Sequence, residues 1–175
     1  ALLNALNRDH AREREADGRL RARIESYQLA ARLQLSAPGL LEIERESAAT
    51  RSLYGIDREP TADFGRRCLM ARRMIERGVR FVEIFHSNWD THGTNDQRHR
   101  DLCAQVDQPM AALVKDLEER GLLDETLVVW GGEFGRTPMA QGNGRDHHIK
   151  GFSWWMAGGG VKGGMTYGNT DDFGY

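Results

Sequence analysis

The feature that most constrains this sequence is a short apolar run, a long helical stretch and a second apolar run, in that order. The first run, VRFVEIF, spans residues 79–85 and is rich in β-branched and aromatic side chains. A helical stretch of about twenty residues follows, with apolar side chains at helical spacing. TLVVW at 126–130 is the second run. Strand, helix and strand in this order predict a βαβ unit, whose two strands are parallel.

The remaining segments extend this prediction to the whole chain. FSWWMAG at 152–158 predicts a third strand, and Pro109 is expected to kink or divide the long helix. Before residue 79 we expect a helical region with a break near Asp17, a loop-rich connection at 36–60 and a helix from Phe64 that stops at Gly78. The predicted fold class is α/β, with a mostly parallel sheet flanked by helices and a helical N-terminal segment.

We divide the chain into two regions of one domain. Residues 1–78 are the helical segment and its connecting loop, which pack on the sheet, and residues 79–175 are the α/β core portion that carries the candidate site.

Composition excludes several classes of function. A formal net charge of −2 over 175 residues argues against binding to nucleic acid or to an anionic membrane surface. No apolar run approaches the roughly 18 residues that span a bilayer. The two cysteines, Cys68 and Cys103, are too few for a thiolate zinc site. We expect two buried thiols, and a disulfide between them stays open.

Ligand-type side chains follow or precede each predicted strand. WDTHG closely follows the first strand, GGEFGRTP directly follows the second, and GNGRDHHIKG leads into the third. In open α/β sheets, ligands gather outside the carboxyl ends of the strands. The candidate metal ligands are therefore Asp90, His92, Glu133, Asp146 and His147.

These residue types fit a hydrolytic metal site. Imidazole nitrogen and carboxylate oxygen bind zinc, manganese or iron. Asp90 and His92 are two residues apart, so in an extended chain both side chains point to the same face. Arg136 is the candidate catalytic residue, placed to stabilise negative charge in the transition state or to pair with Glu133. Taken singly, each cluster also fits a helix cap, a salt bridge or a solvated loop; their joint occurrence favours the metal site.

Four stretches together resemble the bacterial family known as domain of unknown function 1501: GVRFVEIFHSNWDTHG, LVKDLEERGLLDETLVVWGGEFGRTP, GRDHH and MAGGGVKGGMTYGNTDDFGY. That family is similar to the alkaline phosphatase and sulfatase superfamily. The resemblance implies a partial fold of that type and hydrolysis of phosphate or sulfate esters. It also implies a divalent metal (zinc, manganese or calcium), a small-molecule or polysaccharide ester as substrate, and an exported or periplasmic location. The oligomeric state stays open.

The sequence departs from the superfamily pattern in three places. One residue rather than three separates Asp90 from His92, Glu133 stands where an aspartate is expected, and Phe134 stands where its histidine partner would be. These departures keep two alternatives open: an inactive binding or scaffold domain, and a single-metal enzyme acting on peptidoglycan or polysaccharide substituents. The resemblance further implies a C-terminal fragment whose nucleophile lies outside it, so the chain alone is expected to hydrolyse esters negligibly.

Overall fold

The structure is a computed structural model that describes residues 2–12, 14 and 18–175. The chain forms two compact units, Ala1–Glu42 and Ile43–Tyr175. The first unit contains helices α1 (Leu2–Arg12) and α2 (Gly18–Leu41), as the helical composition of this segment predicts. Helix α2 also includes residues 36–41, where a loop-rich connection was expected, so the predicted start of that connection was wrong. Asp17, where a break was predicted, lies outside the described residues.

The second unit combines helices with short strands. It contains 3₁₀ helices at Ile43–Arg45 and Leu123–Glu125, helices α3 (Ala48–Tyr54), α4 (Ala62–Glu76) and α5 (Asn95–Glu119), and strands β1 (Val128–Trp130), β2 (Gly135–Gln141), β3 (Gly144–His148) and β4 (Trp155–Ala157). This mixture of helix and strand agrees with the predicted α/β class. The division of the chain at residue 78 stays a prediction. Among the helices of the described ranges, none has the length and apolar character needed to cross a membrane.

Helix α3 lies within the segment that was expected to be loop-rich. The Ser47 hydroxyl accepts a hydrogen bond from the backbone N–H of Thr50 at 3.0 Å, which caps the first turn of the helix. Gly55, with φ of 64°, ends the helix in the left-handed conformation that glycine adopts without strain. The expectation of a loop here was wrong because a helix this short is specified by its caps more than by an apolar period.

Helix α5 also differs from expectation, because it runs unbroken through Pro109. A proline inside a helix removes one backbone hydrogen bond and usually costs about 3 kcal/mol. Here the ring of Pro109 is fully buried, so packing offsets part of that cost. The predicted division of the helix was wrong.

The strands pair differently from the predicted βαβ unit. β1 pairs with β4 in antiparallel register, Val128 opposite Ala157 and Trp130 opposite Trp155, which confirms a strand within 152–158. Residues 79–85 belong to no strand ladder of the described chain. A strand needs a hydrogen-bonded neighbour, and among the described residues no strand pairs with this run. The parallel pairing with β1 is therefore not observed, although burial alternates along residues 81–86 as it does in a strand.

The second sheet is a hairpin that the sequence analysis missed. β2 and β3 pair in antiparallel register, with Gln141 opposite Gly144 and Arg136 opposite His147. Gly142 and Asn143 form the two-residue connection, and Gly142 has φ of 60°. A Gly-Asn pair between two extended runs is a recognised signal for such a tight turn.

The core of the second unit lies between α3, α4 and α5. Its buried side chains are Tyr54, Ile56, Phe64, Cys68, Leu69, Val106 and Ala112. Ile84, Trp89 and Trp130 pack against this cluster from the segments around the sheets. The extended run 79–85 thus contributes one face to the core, while Phe81 and Phe85 on its other face are exposed.

Both cysteines are free thiols, as we expected. Cys68 is buried in the core, and burial raises the pKa of its thiol to about 12. Cys103 is only half-buried, so the expectation of burial holds for one of the two.

A buried arginine joins the helices through carboxylates. The Arg72 side chain is 2% exposed and contacts Glu46 Oε2 at 2.9 Å, Glu76 Oε2 at 2.6 Å and Asp116 Oδ2 at 2.9 Å. The Tyr54 hydroxyl donates to the same Asp116 oxygen at 2.9 Å. Burial raises the pKa of Tyr54, and the Asp116 carboxylate raises it further, so this hydroxyl remains a donor. The cluster links α3, α4, α5 and the residue that precedes the cap of α3.

Replacing this arginine is predicted to destabilise the protein strongly. Arg72→Met should lower the free energy of unfolding by about 3–5 kcal/mol, because it leaves buried carboxylates without their cation. Lys115→Met is the matched control, since the Lys115–Glu119 pair is exposed and its atoms are 3.7 Å apart. That variant should lose less than about 1 kcal/mol. Equal losses in urea unfolding of the two variants would contradict a structural role for the buried cluster.

Candidate metal centre

The chain before the candidate ligands is anchored to the core by Trp89. Its indole N–H donates to His86 Nδ1 at 2.9 Å. The ring also meets that of Trp130 edge-to-face, with centroids 6.2 Å apart. These contacts fix the backbone at the residue immediately before Asp90.

Burial alternates through the next three residues. Thr91 is fully buried, and its hydroxyl donates to Asn95 Oδ1 at 2.5 Å. Asp90 and His92, on either side of it, are exposed. The spacing of two therefore directs both side chains to the same face, as the sequence analysis predicts for an extended chain.

The β2–β3 hairpin lies directly against this segment. Asn143 Oδ1 accepts a hydrogen bond from the N–H of Thr94 at 3.1 Å, and the Asn143 carbonyl accepts one from Asn95 at 3.2 Å. Gly144 allows the close approach, because a Cβ at this position would lie 2.2 Å from the carbonyl carbon and oxygen of His92. The start of β3, and with it His147, is thus held beside His92.

Three ligand-type atoms converge at this contact. Asp90 Oδ1 lies 3.0 Å from His92 Nε2 and 3.0 Å from His147 Nε2, and the two nitrogens are 3.2 Å apart. Atoms this close together could be ligands of one ion, since carboxylate oxygen and imidazole nitrogen bind a metal such as zinc at about 2.0–2.2 Å. A proton can bridge only one of these pairs, whereas a divalent cation coordinates all three atoms. The residues present therefore fit a metal ion.

Arg136 lies beside the three atoms and contacts Asp90 rather than Glu133. Its Nη2 donates to Asp90 Oδ1 at 2.5 Å and to the Trp89 carbonyl at 3.3 Å. The hydrogen bond from Arg136, followed by the contact with His147, lowers the pKa of Asp90 to about 2. Asp90 is therefore a carboxylate at neutral pH, as a metal ligand must be.

The other two predicted ligands lie outside the converging group. Asp146 Oδ1 accepts a hydrogen bond from the His147 N–H at 2.8 Å and stands 3.8 Å from His92 Nδ1, next to the site. Glu133 is exposed in the loop between β1 and β2, and none of the ion pairs among the described residues includes it. Three of the five predicted ligands are thus brought together.

Sequence reasoning missed Gln141, and it named Phe134 only as a departure from the superfamily pattern. Gln141 Oε1 lies 3.1 Å from His92 Nδ1, and the Phe134 ring packs on that of His147 with centroids 4.5 Å apart. The signal for Gln141 was the Gly-Asn turn. Recognising it as a hairpin would have placed Gln141 at the end of β2, close to the histidines.

Removing the guanidinium should change the protonation of the site. In Arg136→Gln, the pKa of Asp90 is predicted to rise from about 2 towards its ordinary value of 3.8, because the largest lowering contact is lost. Carbon NMR of the Asp90 carboxyl during a pH titration measures this. Arg98→Gln removes the same charge on the exposed face of α5 and should leave the Asp90 titration unchanged.

The close approach at Gly144 gives a second prediction. Gly144→Ala should lower the free energy of unfolding by about 1–3 kcal/mol, because its Cβ would overlap backbone atoms of His92. Gly163→Ala is the control, since a Cβ there would meet nothing within 4 Å. Chemical denaturation checks both variants, and an unchanged stability of Gly144→Ala would mean that the hairpin does not lie against His92.

Comparison with known proteins identifies a family and gives no individual relative. No curated protein and no solved structure matches it. A family model described as protein of unknown function (DUF1501) matches residues 1–175. The chain therefore belongs to the DUF1501 family.

Proposed function

We propose that this protein is a metal-dependent hydrolase of phosphate or sulfate esters, with Asp90, His92 and His147 as the metal ligands. The observation that carries the proposal is the convergence of one carboxylate oxygen and two imidazole nitrogens, none more than 3.2 Å from another. Separations of this size are those between ligands of one metal ion. The side chains are 43–64% exposed, so further coordination positions face solvent and a substrate.

The donor set favours particular metals. Two imidazole nitrogens and one carboxylate oxygen suit zinc or manganese. Calcium, which the resemblance also implies, prefers about six to eight oxygen ligands. It is therefore the least suited of the three metals to a set with two nitrogen donors. A divalent metal held by these residues would polarise an ester oxygen and lower the pKa of a water or another nucleophile.

The position of Arg136 favours a substrate that carries negative charge. Its guanidinium lies at the edge of the converging group and is anchored by Asp90 and by the Trp89 carbonyl. A fixed guanidinium recognises phosphate and sulfate oxygens and stabilises the charge that develops on them during hydrolysis. An open site of this kind accommodates either a small-molecule ester or a substituent on a polysaccharide.

The proposal includes a relation to the alkaline phosphatase and sulfatase superfamily, and the export that the same resemblance implies. In that architecture residues 79–85 would be a strand of a mostly parallel sheet with β1. The alternating burial of residues 81–86 supports this placement. An experimental structure of the full-length protein in which this run pairs with no strand would contradict it.

One observation favours the alternative of an inactive scaffold. Arg136 already provides a cation for the Asp90 oxygen that a metal would use. A carboxylate has lone pairs for both partners, so the two contacts are compatible. Metal binding therefore separates the two functions: an enzyme site binds a metal, and a scaffold held by the Arg136–Asp90 pair does not.

Calorimetry with zinc and manganese tests the ligand assignment. The protein is predicted to bind a single ion, and Asp90→Asn and His147→Ala should each weaken binding by more than about 100-fold, since outer-shell changes alone cost 10–100-fold. Glu133→Gln should leave the affinity nearly unchanged, because Glu133 is outside the group. His10→Ala, in α1, controls for the loss of a surface imidazole. If Glu133→Gln abolished binding, the three-ligand site would be wrong.

Turnover is the second arm of the test. The full-length protein is expected to hydrolyse a phosphate or sulfate monoester with zinc or manganese present, to lose activity on chelation and to regain it when metal is restored. Tight metal binding without hydrolysis of any ester in the panel would contradict the proposed hydrolysis of these esters and leave the three-ligand metal site standing.

A further inference from the structure

Gln141 makes a contact that the proposed ligand set does not explain. It is the last residue of β2, and its Oε1 lies 3.1 Å from His92 Nδ1, on the side of the ring away from the converging atoms. A neutral imidazole carries a proton on one nitrogen and a lone pair on the other. Whichever group bonds to Nδ1 therefore determines whether Nε2 can bind a metal.

Two acceptor oxygens are near His92 Nδ1. Gln141 Oε1 is at hydrogen-bond distance, whereas Asp146 Oδ1, at 3.8 Å, is too far for a hydrogen bond and already accepts one from the His147 N–H. Gln141 is thus the hydrogen-bond partner of Nδ1, which must donate to its carbonyl oxygen.

The opposite nitrogen faces a competing acceptor, Asp90 Oδ1, at 3.0 Å. That oxygen already accepts a hydrogen bond from Arg136 and lies 3.0 Å from His147 Nε2. Because Nδ1 carries the single proton of the neutral ring and donates it to Gln141, Nε2 of His92 is the nitrogen left with a lone pair.

We propose that Gln141 is a positioning residue that fixes His92 in the Nδ1–H tautomer and directs its Nε2 lone pair at the metal position. This inference rests on the proposed function for its purpose, although the tautomer itself is a property of the metal-free protein. Hydrogen bonds to the distal nitrogen of a ligand histidine orient the ring and raise its basicity, and losing one lowers metal affinity about 10–100-fold.

The chain offers a matched control in a second glutamine–histidine contact. His86 Nε2 lies 3.2 Å from Gln105 Oε1, while its Nδ1 accepts from the Trp89 indole at 2.9 Å. His86 is therefore held in the opposite tautomer, Nε2–H, outside the converging group. Gln105→Leu removes the same kind of partner as Gln141→Leu.

The first readout is ¹⁵N NMR of the imidazoles in the metal-free protein, at a pH where they are neutral. Wild type and Gln141→Glu should show the Nδ1–H tautomer at His92, because a carboxylate also accepts from Nδ1. Gln141→Leu should shift His92 towards Nε2–H. Gln105→Leu should leave the His92 tautomer unchanged, and His86 should stay Nε2–H because the Trp89 indole still donates to its Nδ1. An unchanged His92 tautomer in Gln141→Leu would overturn the inference.

The second readout is zinc affinity by calorimetry on the same variants. Gln141→Leu should bind zinc about 10–100-fold more weakly, whereas Gln141→Glu and Gln105→Leu should bind like wild type. Equal zinc affinity in wild type and Gln141→Leu would overturn the positioning role and leave the proposed function standing. A wild type that binds no zinc, with the tautomer still lost in Gln141→Leu, would contradict the proposed function and keep the assignment of Gln141 to the tautomer.

Discussion

Burial of the Arg72 charge is the constraint on which the rest of this structure depends. A cation that is 2% exposed must have anionic partners, and these come from α4, from α5 and from the residue before the Ser47 cap. Satisfying Arg72 therefore fixes the three helices relative to one another. Their apolar faces then form the cluster on which Trp89 and Trp130 pack. The candidate metal centre lies on the far side of that aromatic contact, one residue from Trp89.

The electrostatics of the centre follow from its position at the surface. Asp90 contributes one negative charge and Arg136 one positive charge, and solvent reaches both imidazoles. Asp146, next to the site, adds a second carboxylate, so the surroundings carry a small net negative charge before any cation binds, smaller than in a site built from several carboxylates. Salt screens the attraction between such a centre and a distant cation. On the proposed function, metal affinity would therefore depend on the geometry and the tautomers of the ligands, and an uncharged neighbour such as Gln141 would act through the tautomer of His92.

Sequence reasoning located the candidate site better than it located the strands. Asp90 and His92 could be foreseen because a spacing of two has a fixed meaning in extended chain, and His147 because of its residue type. The pairing of the strands could not be foreseen, because a strand forms only where another segment lies alongside it. Residues 79–85 have the burial pattern of a strand but pair with no other strand of the described chain. Glu133 illustrates the same limit. A residue that directly follows a strand is near the edge of a sheet, but this position does not determine whether its side chain reaches the other candidate ligands. Gln141 was within reach of sequence reasoning, since Gly142 and Asn143 specify the turn that follows it.

The environment of Trp89 makes it a natural optical reporter for this region. Its indole is bonded to His86 and half-buried against the core, while its carbonyl accepts a hydrogen bond from Arg136. A rearrangement of the Arg136–Asp90 pair would therefore change a hydrogen bond to Trp89 itself, whose indole is the fluorophore. Trp154 and Trp155, on the β4 side, are more exposed and would contribute a separate, red-shifted emission. On the proposed function, intrinsic fluorescence would therefore give a label-free signal of metal binding at the centre, from the same side chain that anchors it.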